Sequence, residues 1–175
     1  VTPAYKAVQG VLAWPDVQSL PFVPDLAVLC THAKRNLELL ESLGQKGCKT
    51  CIILSSPPEQ QPELLACASR YQMRILGPNS LGLLAPWQGL NASFSPVPIR
   101  KGKLAFISQS AAVSNTILDW AQQREMGFSY FIALGDSLDI DVDELLDFLA
   151  RDSKTSAILL YLEHLSDARQ IGRAS

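Results

Sequence analysis

The sequence lacks the features that mark nucleic-acid-binding and membrane-spanning proteins. Its 15 lysines and arginines stand against 17 acidic residues, for a formal net charge of −2, and they form no basic cluster. A chain without such a cluster has no electrostatic footprint for DNA or RNA, so we exclude nucleic acid as a partner. No apolar run reaches the roughly 18 residues that a transmembrane helix requires, and the first residues lack the layout of a signal peptide. We therefore expect a cytoplasmic protein with no membrane partner.

Cysteine and histidine are also scarce, which restricts disulfides and metal sites. The chain has four cysteines and two histidines, and its cysteines lie in apolar segments. Cys48 and Cys51 have CxxC spacing, but a zinc site would need a second such pair or a pair of histidines. We predict reduced, structural thiols and no metal site in this chain.

Apolar segments of strand length alternate with amphipathic segments of helical length. The strand patterns cover residues 25–30, 50–55, 74–76, 104–107, 128–134 and 157–162. The helical patterns cover residues 34–43, 61–72, 111–126 and 142–150, with another from Asp167 onward. This alternation predicts an α/β fold with parallel sheets and right-handed crossovers. Residues 83–103 contain three prolines and show no periodicity, so we predict a connector there between domains at residues 1–82 and 104–175.

Polar or glycine-rich segments follow the predicted strands directly. In parallel α/β sheets, ligands bind beyond the carboxyl ends of the strands. The segments at these ends are Cys30 with Thr31, Ser55 with Ser56, residues 77–82, residues 108–110, residues 135–136 and Glu163. We predict that they line a ligand site.

The turn at residues 108–110 stands between a predicted strand and a predicted helix. A helix N-terminus has unpaired backbone N–H groups and about half a positive charge, which favours a phosphate or another anion. Serine is also a preferred N-cap. The turn therefore either caps the helix only or binds an anion as well.

Several motifs, in order along almost the whole chain, resemble those of the NDP-forming acyl-CoA synthetases and the succinyl-CoA synthetase α subunit. They are V-T-P-A-Y at the start, the run at residues 25–55, G-P-N-S-L-G at 77–82, I-S-Q-S-A-A at 107–112, G-F-S-Y-F-I-A-L-G-D at 127–136 and Y-L-E at 161–163. The resemblance implies a partial Rossmann-like CoA-binding domain followed by a flavodoxin-like parallel-sheet domain. It also implies CoA or acetyl-CoA as the ligand, with ATP or ADP and magnesium bound elsewhere in the parent protein.

The matching motif positions imply two groups of site residues and no catalytic residue. The residues implied to contact CoA are Cys30, Thr31, Ser55, Ser56, Gly77, Pro78 and Asn79. Those implied to bind phosphate are Ser108, Gln109, Ser110, Ala111 and Glu163. In the family, this helix start faces a phosphohistidine, and Glu163 matches the glutamate that holds that histidine.

The chain also departs from the family pattern. The glycine-rich loop after the first Rossmann strand is absent, so we expect the N-terminal strand, loop and helix to be missing and the second domain to be truncated. A Ser-Gly pair becomes Ser110-Ala111, and a flexible turn becomes Ser56-Pro57-Pro58. We expect the segment alone to bind CoA weakly or not at all, and to be inactive.

The sequences of residues 85–100 and 108–120 resemble the enterobacterial protein lysine acetyltransferases more closely still. Those proteins join a synthetase-like region to a GNAT domain. We therefore predict a fragment of the acetyl-CoA-binding, regulatory region of such a transferase, with acetyl-CoA synthetase as its protein substrate and a homo-oligomeric assembly. The alternative is a fragment of an active ADP-forming acyl-CoA synthetase, a ligase that works through phosphohistidine. A third possibility is a scaffold that only mediates oligomer contacts. The sequence leaves the acyl group open.

Overall fold

A computed structural model describes residues 1–56, 61–96 and 98–164. The strands are β1 (Ala7–Val8), β2 (Val11–Leu12), β3 (Ala27–Leu29), β4 (Thr50–Ile53), β5 (Arg74–Leu76), β6 (Gly82–Ala85), β7 (Leu90–Ser93), β8 (Arg100–Ser108), β9 (Gly127–Ala133) and β10 (Ala157–Tyr161). The α-helices are α1 (Asn36–Lys46), α2 (Gln61–Tyr71), α3 (Ala111–Gln123) and α4 (Val142–Ala150). None of the described helices is long and apolar enough to cross a membrane. The helix predicted from Asp167 onward lies outside the described residues.

The first sheet contains three parallel strands in the order β3-β4-β5. Successive side chains of a strand point to opposite faces, and both faces of this sheet are covered. Cys51 and Ile53 of β4 pack in one apolar cluster with Leu40 of α1 and Leu64 of α2. Ile52 packs on the other side, in a cluster that includes residues of the second sheet. The predicted α/β fold with parallel strands is confirmed here.

Helix α1 extends beyond its predicted end at Gly44. It continues to Lys46 and ends at Gly47, whose φ of 99° is the left-handed conformation that glycine adopts readily. Gly44 is buried inside the helix, where an added Cβ would overlap the ring of Tyr71 in α2. Gly44 is therefore a site of close helix packing, and Gly47 is the terminator.

The second sheet has five strands in the order β10-β8-β9-β6-β7. Strands β8, β9 and β10 are parallel, as predicted, whereas β6 is antiparallel to both β9 and β7. The predicted irregular connector over residues 83–103 therefore differs from the structure, which has a hairpin and the first part of β8 there. The hairpin strands have only four residues each and are joined by a turn at Pro86–Gln88. Strands this short between proline and glycine give little periodicity to detect.

The two sheets share an apolar cluster and a line of backbone hydrogen bonds. Leu54 and Leu76 of the first unit are buried together with Ile107, Ile132 and Leu134 of the second. The loop after β9 runs along β5 and the turn after it. Its N–H groups donate from Ile140 to Ile75 O at 3.2 Å, from Leu138 to Gly77 O at 3.1 Å and from Asp136 to Pro78 O at 2.9 Å. These contacts bring the carboxyl ends of strands from both sheets to a common edge.

Candidate functional site

Thr31 and Ser55 follow the neighbouring strands β3 and β4, and a buried asparagine joins their hydroxyl groups. Asn36, the first residue of α1, is fully buried. Its Nδ2 donates to Ser55 Oγ at 3.0 Å, and its Oδ1 accepts from Thr31 Oγ1 at 3.5 Å. The polar atoms of side-chain amides that are buried in native structures are nearly always hydrogen-bonded. Asn36 therefore holds both hydroxyl groups at the carboxyl edge of the first sheet.

The third predicted CoA loop, at residues 77–79, contacts the second one directly. Gly77 has a φ of 101°, and a Cβ at this position would overlap the carbonyl oxygen of Ile53. Asn79 is also left-handed, with a φ of 58°, a conformation that asparagine tolerates. Its N–H donates to Ser55 O at 2.8 Å. Only glycine at position 77 allows the loop after β5 to lie this close to β4.

The turn at residues 108–110 is held by its own hydroxyl groups. Ser108 is fully buried, and its Oγ accepts from Ser110 N–H and donates to Ser110 O, both at 3.0 Å. Ser110 is the N-cap of α3, because its Oγ accepts from Val113 N–H at 3.5 Å. The capping interpretation is confirmed. Since the Ser108 hydroxyl is used within the turn, an anion here would contact the first backbone N–H groups of α3 and the Ser110 side chain.

Gln109 ties this turn to the end of β10. Its Oε1 accepts from the N–H groups of Glu163 at 2.7 Å and His164 at 2.9 Å, and its Nε2 donates to His164 O at 3.1 Å. The Gln109 side chain is therefore a backbone clamp rather than a free donor for an anion. The clamp places the exposed Glu163 beside the turn.

Residues 134–136 link the turn to the loops of the first sheet. Leu134 N–H donates to Ser108 O at 2.8 Å. Two residues later, Asp136 Oδ1 accepts from Asn79 Nδ2 at 3.2 Å. The structure thus joins Ser55, Asn79, Asp136 and Ser108 along one hydrogen-bonded edge. The predicted CoA loops and the predicted phosphate turn lie at this shared edge.

The chemistry of this edge is that of hydroxyl, amide and backbone N–H groups, together with the carboxylates of Asp136 and Glu163. Partial burial raises the pKa of the Cys30 thiol, so at neutral pH it remains protonated and is a poor nucleophile. Among the described residues, no group of three histidine, cysteine, aspartate or glutamate side chains could hold a metal ion. The edge is equipped to bind and orient a polar ligand, and the N-terminus of α3 favours a negatively charged one.

The remaining predicted residues have no comparable network. Ser56 is exposed, as is Ala111 at the start of α3, and Pro57 and Pro58 lie outside the described residues. The predicted ligand contacts of all these positions stay predictions. The sequence analysis did not identify Asn36 as a site residue. A signal existed, because Asn36 is the one polar residue among Asn36, Leu40 and Leu43, whose helical spacing places them on the buried face of α1.

Two family models match the chain and divide it near the junction of the two sheets. Residues 1–86 match the CoA binding domain, and residues 101–175 match the succinyl-CoA ligase like flavodoxin domain. These are the two domain types that the sequence motifs implied. The prediction of a Rossmann-like unit followed by a flavodoxin-like unit is confirmed at the level of fold.

Two relatives of this chain are ADP-forming acetate–CoA ligases. The acetate–CoA ligase [ADP-forming] I of Archaeoglobus fulgidus is 32% identical over 100% of this chain and 27% of its own length. The alpha subunit of acetate–CoA ligase [ADP-forming] I of Pyrococcus furiosus is 37% identical over 88% of this chain and 35% of its own length. The chain therefore spans only about a quarter to a third of these two relatives.

A solved structure agrees with them. The dinucleotide forming acetyl-coenzyme A synthetase 1 of Ca. Korarchaeum cryptofilum, in complex with phosphate and ADP, superposes with a TM-score of 0.92 at 32% identity. The superposition covers 99% of this chain and 38% of that one.

These relatives overturn one expectation. We predicted a fragment of a protein lysine acetyltransferase with acetyl-CoA synthetase as its protein substrate, and that prediction was wrong. The relatives are themselves acetate–CoA ligases, so the likeness of residues 85–100 and 108–120 to acetyltransferase sequences does not identify a transferase. The findings favour the alternative, an ADP-forming ligase.

Proposed function

Because the chain belongs to the family of NDP-forming acyl-CoA synthetases, we propose that it is the CoA-binding and phosphate-binding part of an ADP-forming acyl-CoA ligase. In the direction of ATP formation, such a ligase converts an acyl-CoA thioester, phosphate and ADP into the free acid, CoA and ATP. The names of the relatives favour acetate as the acid. One of them is an alpha subunit, so the proposal includes a second subunit or domain that supplies the nucleotide site.

In this proposal, the loops of the first sheet hold CoA. The hydroxyl groups of Thr31 and Ser55 and the amide of Asn79 are hydrogen-bonding groups that suit the amide-rich pantetheine arm and the phosphates of CoA. Asn36 holds the two hydroxyl groups in place through the bonds described above. Gly77 lets the backbone of its loop approach closely.

The start of α3 would receive the phosphate. Its first N–H groups have no partner within the helix, and the macrodipole favours an anion there. The Ser108 hydroxyl bonds within the turn, Gln109 ties the turn to the end of β10, and Ser110 adds its hydroxyl. The exposed Glu163 lies beside the turn and would face a cationic or protonated partner.

One observation carries this proposal: a single chain of hydrogen bonds joins the two sets of loops. It runs from Ser55 to Asn79, from Asn79 to Asp136 and from Leu134 to Ser108. A thioester held by the loops of the first sheet is therefore at the same common edge of the two sheets as a phosphate held at the start of α3. Attack of a phosphate oxygen on a thioester carbonyl needs this proximity.

Calorimetric titration of the 175-residue chain with CoA tests the proposal. We expect a binding heat that Ser55→Leu weakens about tenfold, equal to about 1.4 kcal/mol, because the new side chain displaces the hydroxyl. Ser69→Leu, on the exposed side of α2, is the matched control and should bind CoA as the parent does. A folded chain that gives no CoA heat, or equal weakening by both substitutions, would overturn the proposal.

Phosphate binding is tested separately. The phosphorus resonance of inorganic phosphate should broaden when the chain is added, and Ser110→Ala should reduce the broadening because it removes the hydroxyl and leaves only the backbone N–H groups. Unchanged broadening in that variant would contradict the assignment of the turn.

A further inference from the structure

Asp136 belongs to the second unit but contacts the first one through its backbone and its side chain. Its N–H donates to Pro78 O at 2.9 Å, and its Oδ1 accepts from Asn79 Nδ2 at 3.2 Å. Its Oδ2 lies 3.5 Å from Gln61 Nε2 at the start of α2. Both carboxylate oxygens therefore face amide groups of the first unit.

We propose that Asp136 is a positioning residue that orients the Asn79 side chain for CoA, an inference that rests on the proposed function. An ionised carboxylate only accepts hydrogen bonds. Asn79 must therefore turn its Nδ2 toward Asp136, which leaves Oδ1 as the atom that the amide presents on its other side. The site thus offers a carbonyl acceptor, which selects a donor group on the ligand, such as an amide N–H of the pantetheine arm.

The backbone around Asp136 fixes this orientation. Gly135 has a φ of 62°, and an added Cβ would overlap Pro78 O. The N–H of Leu138 donates to Gly77 O at 3.1 Å, one step further along the same loop. The loop is therefore fitted closely against the turn after β5, which holds the backbone of Asp136 beside Asn79 while both side chains are exposed.

The same residue connects the two predicted binding regions. Leu134, two positions before Asp136, donates to Ser108 O at 2.8 Å. Asp136, like Leu138, is therefore a point where the second unit contacts the CoA loop.

A double-mutant cycle on CoA affinity tests the inference. We expect Asp136→Ala and Asn79→Ala each to weaken CoA binding about fivefold, as loss of a charge-assisted hydrogen bond between two exposed side chains would. The double variant should be no weaker than the poorer single variant. Asp136→Asn keeps an acceptor oxygen and should retain most of the affinity. Asp119→Ala, an exposed aspartate in the middle of α3, should bind like the parent.

Additive losses in the double variant, or full affinity in Asp136→Ala, would overturn the inference while leaving CoA binding by the parent intact. Absence of CoA binding by the parent would instead overturn the proposed function. A second measurement does not depend on CoA: the side-chain amide resonances of Asn79 in the free protein should shift in Asp136→Ala and not in Asp119→Ala. An unshifted Asn79 amide in Asp136→Ala would refute the positioning role directly.

Discussion

Arg74 joins the two units through three charged hydrogen bonds, so its removal should loosen their contact. Its Nη1 and Nη2 each lie 2.6 Å from a Glu144 carboxylate oxygen, and its Nε lies 3.0 Å from Asp139 Oδ2. Asp139 Oδ2 also accepts from Ile75 N–H at 2.7 Å. A bidentate pair with a second carboxylate is a more favourable geometry than an isolated surface ion pair.

The expected loss in the free energy of unfolding follows from how far the three charged side chains are exposed. The side chains of Arg74 and Glu144 are 44% and 53% exposed, so solvent screens much of their attraction, whereas Asp139 is only 19% exposed. We therefore expect Arg74→Met to lower the free energy of unfolding by about 1.5 kcal/mol, somewhat above the range for exposed pairs. For a protein of this size, that loss corresponds to a fall in Tm of roughly 3–6 °C.

The effect should also depend on pH. The hydrogen bond from Arg74 lowers the pKa of Glu144 below its ordinary value of 4.5. A lowered folded pKa contributes stability that is present above the unfolded pKa and is lost as pH falls through the folded one. The difference between the parent and Arg74→Met should therefore be full at neutral pH and shrink below a pH of about 4.5.

Urea unfolding followed by circular dichroism at neutral and acidic pH measures both quantities. Arg100→Met is the matched control, because Arg100 Nη2 lies 2.8 Å from Glu125 Oε1 and the two side chains are 63% and 70% exposed. We expect that control to change stability by about 0.5 kcal/mol or less. Equal losses in the two variants, or a difference that persists unchanged at acidic pH, would refute the reasoning.

Two further predictions concern packing and the anion turn. Gly44→Ala should destabilise the chain by about 1 kcal/mol in urea unfolding, because overlap with the Tyr71 ring outweighs a gain in helix propensity of about 0.8 kcal/mol; a more stable variant would contradict this. Ser108→Ala should cost about 1–2 kcal/mol, since it leaves Ser110 N–H without its acceptor. Ser110→Ala should cost about 0.5 kcal/mol, because its capping bond is long at 3.5 Å; the reverse order in thermal unfolding would contradict the assignment.

The parallel parts of the fold could be predicted from the sequence because their signals are local. Apolar runs such as residues 104–107 and 128–134 are long enough to show their strand character, and α4 begins after Asp141, whose carboxylate caps it. Strands β6 and β7 could not be predicted, since each has only four residues and shows little periodicity, and the pairing of β6 with β9 joins segments distant in the chain.

The site was predictable only as a set of positions. The rule that ligands bind at the carboxyl ends of parallel strands located Thr31, Ser55 and Asn79. The rule does not say which side chains are already engaged with one another. The buried bonds of Ser108 and the link through Asn36 depend on how close α1, β4 and the turn lie in space, and one sequence contains no record of such distances.

Only five residues separate the end of β5, in one sheet, from the start of β6, in the other. Within that span, Ser80 is buried and accepts from Gly82 N–H at 2.8 Å, while its hydroxyl donates to Ala133 O. A hinge here would have to break these bonds and expose Leu54, Leu76 and Ile132 to water. Binding of a ligand at this edge should therefore cause only small adjustments of the loops, and the two sheets should move as one body.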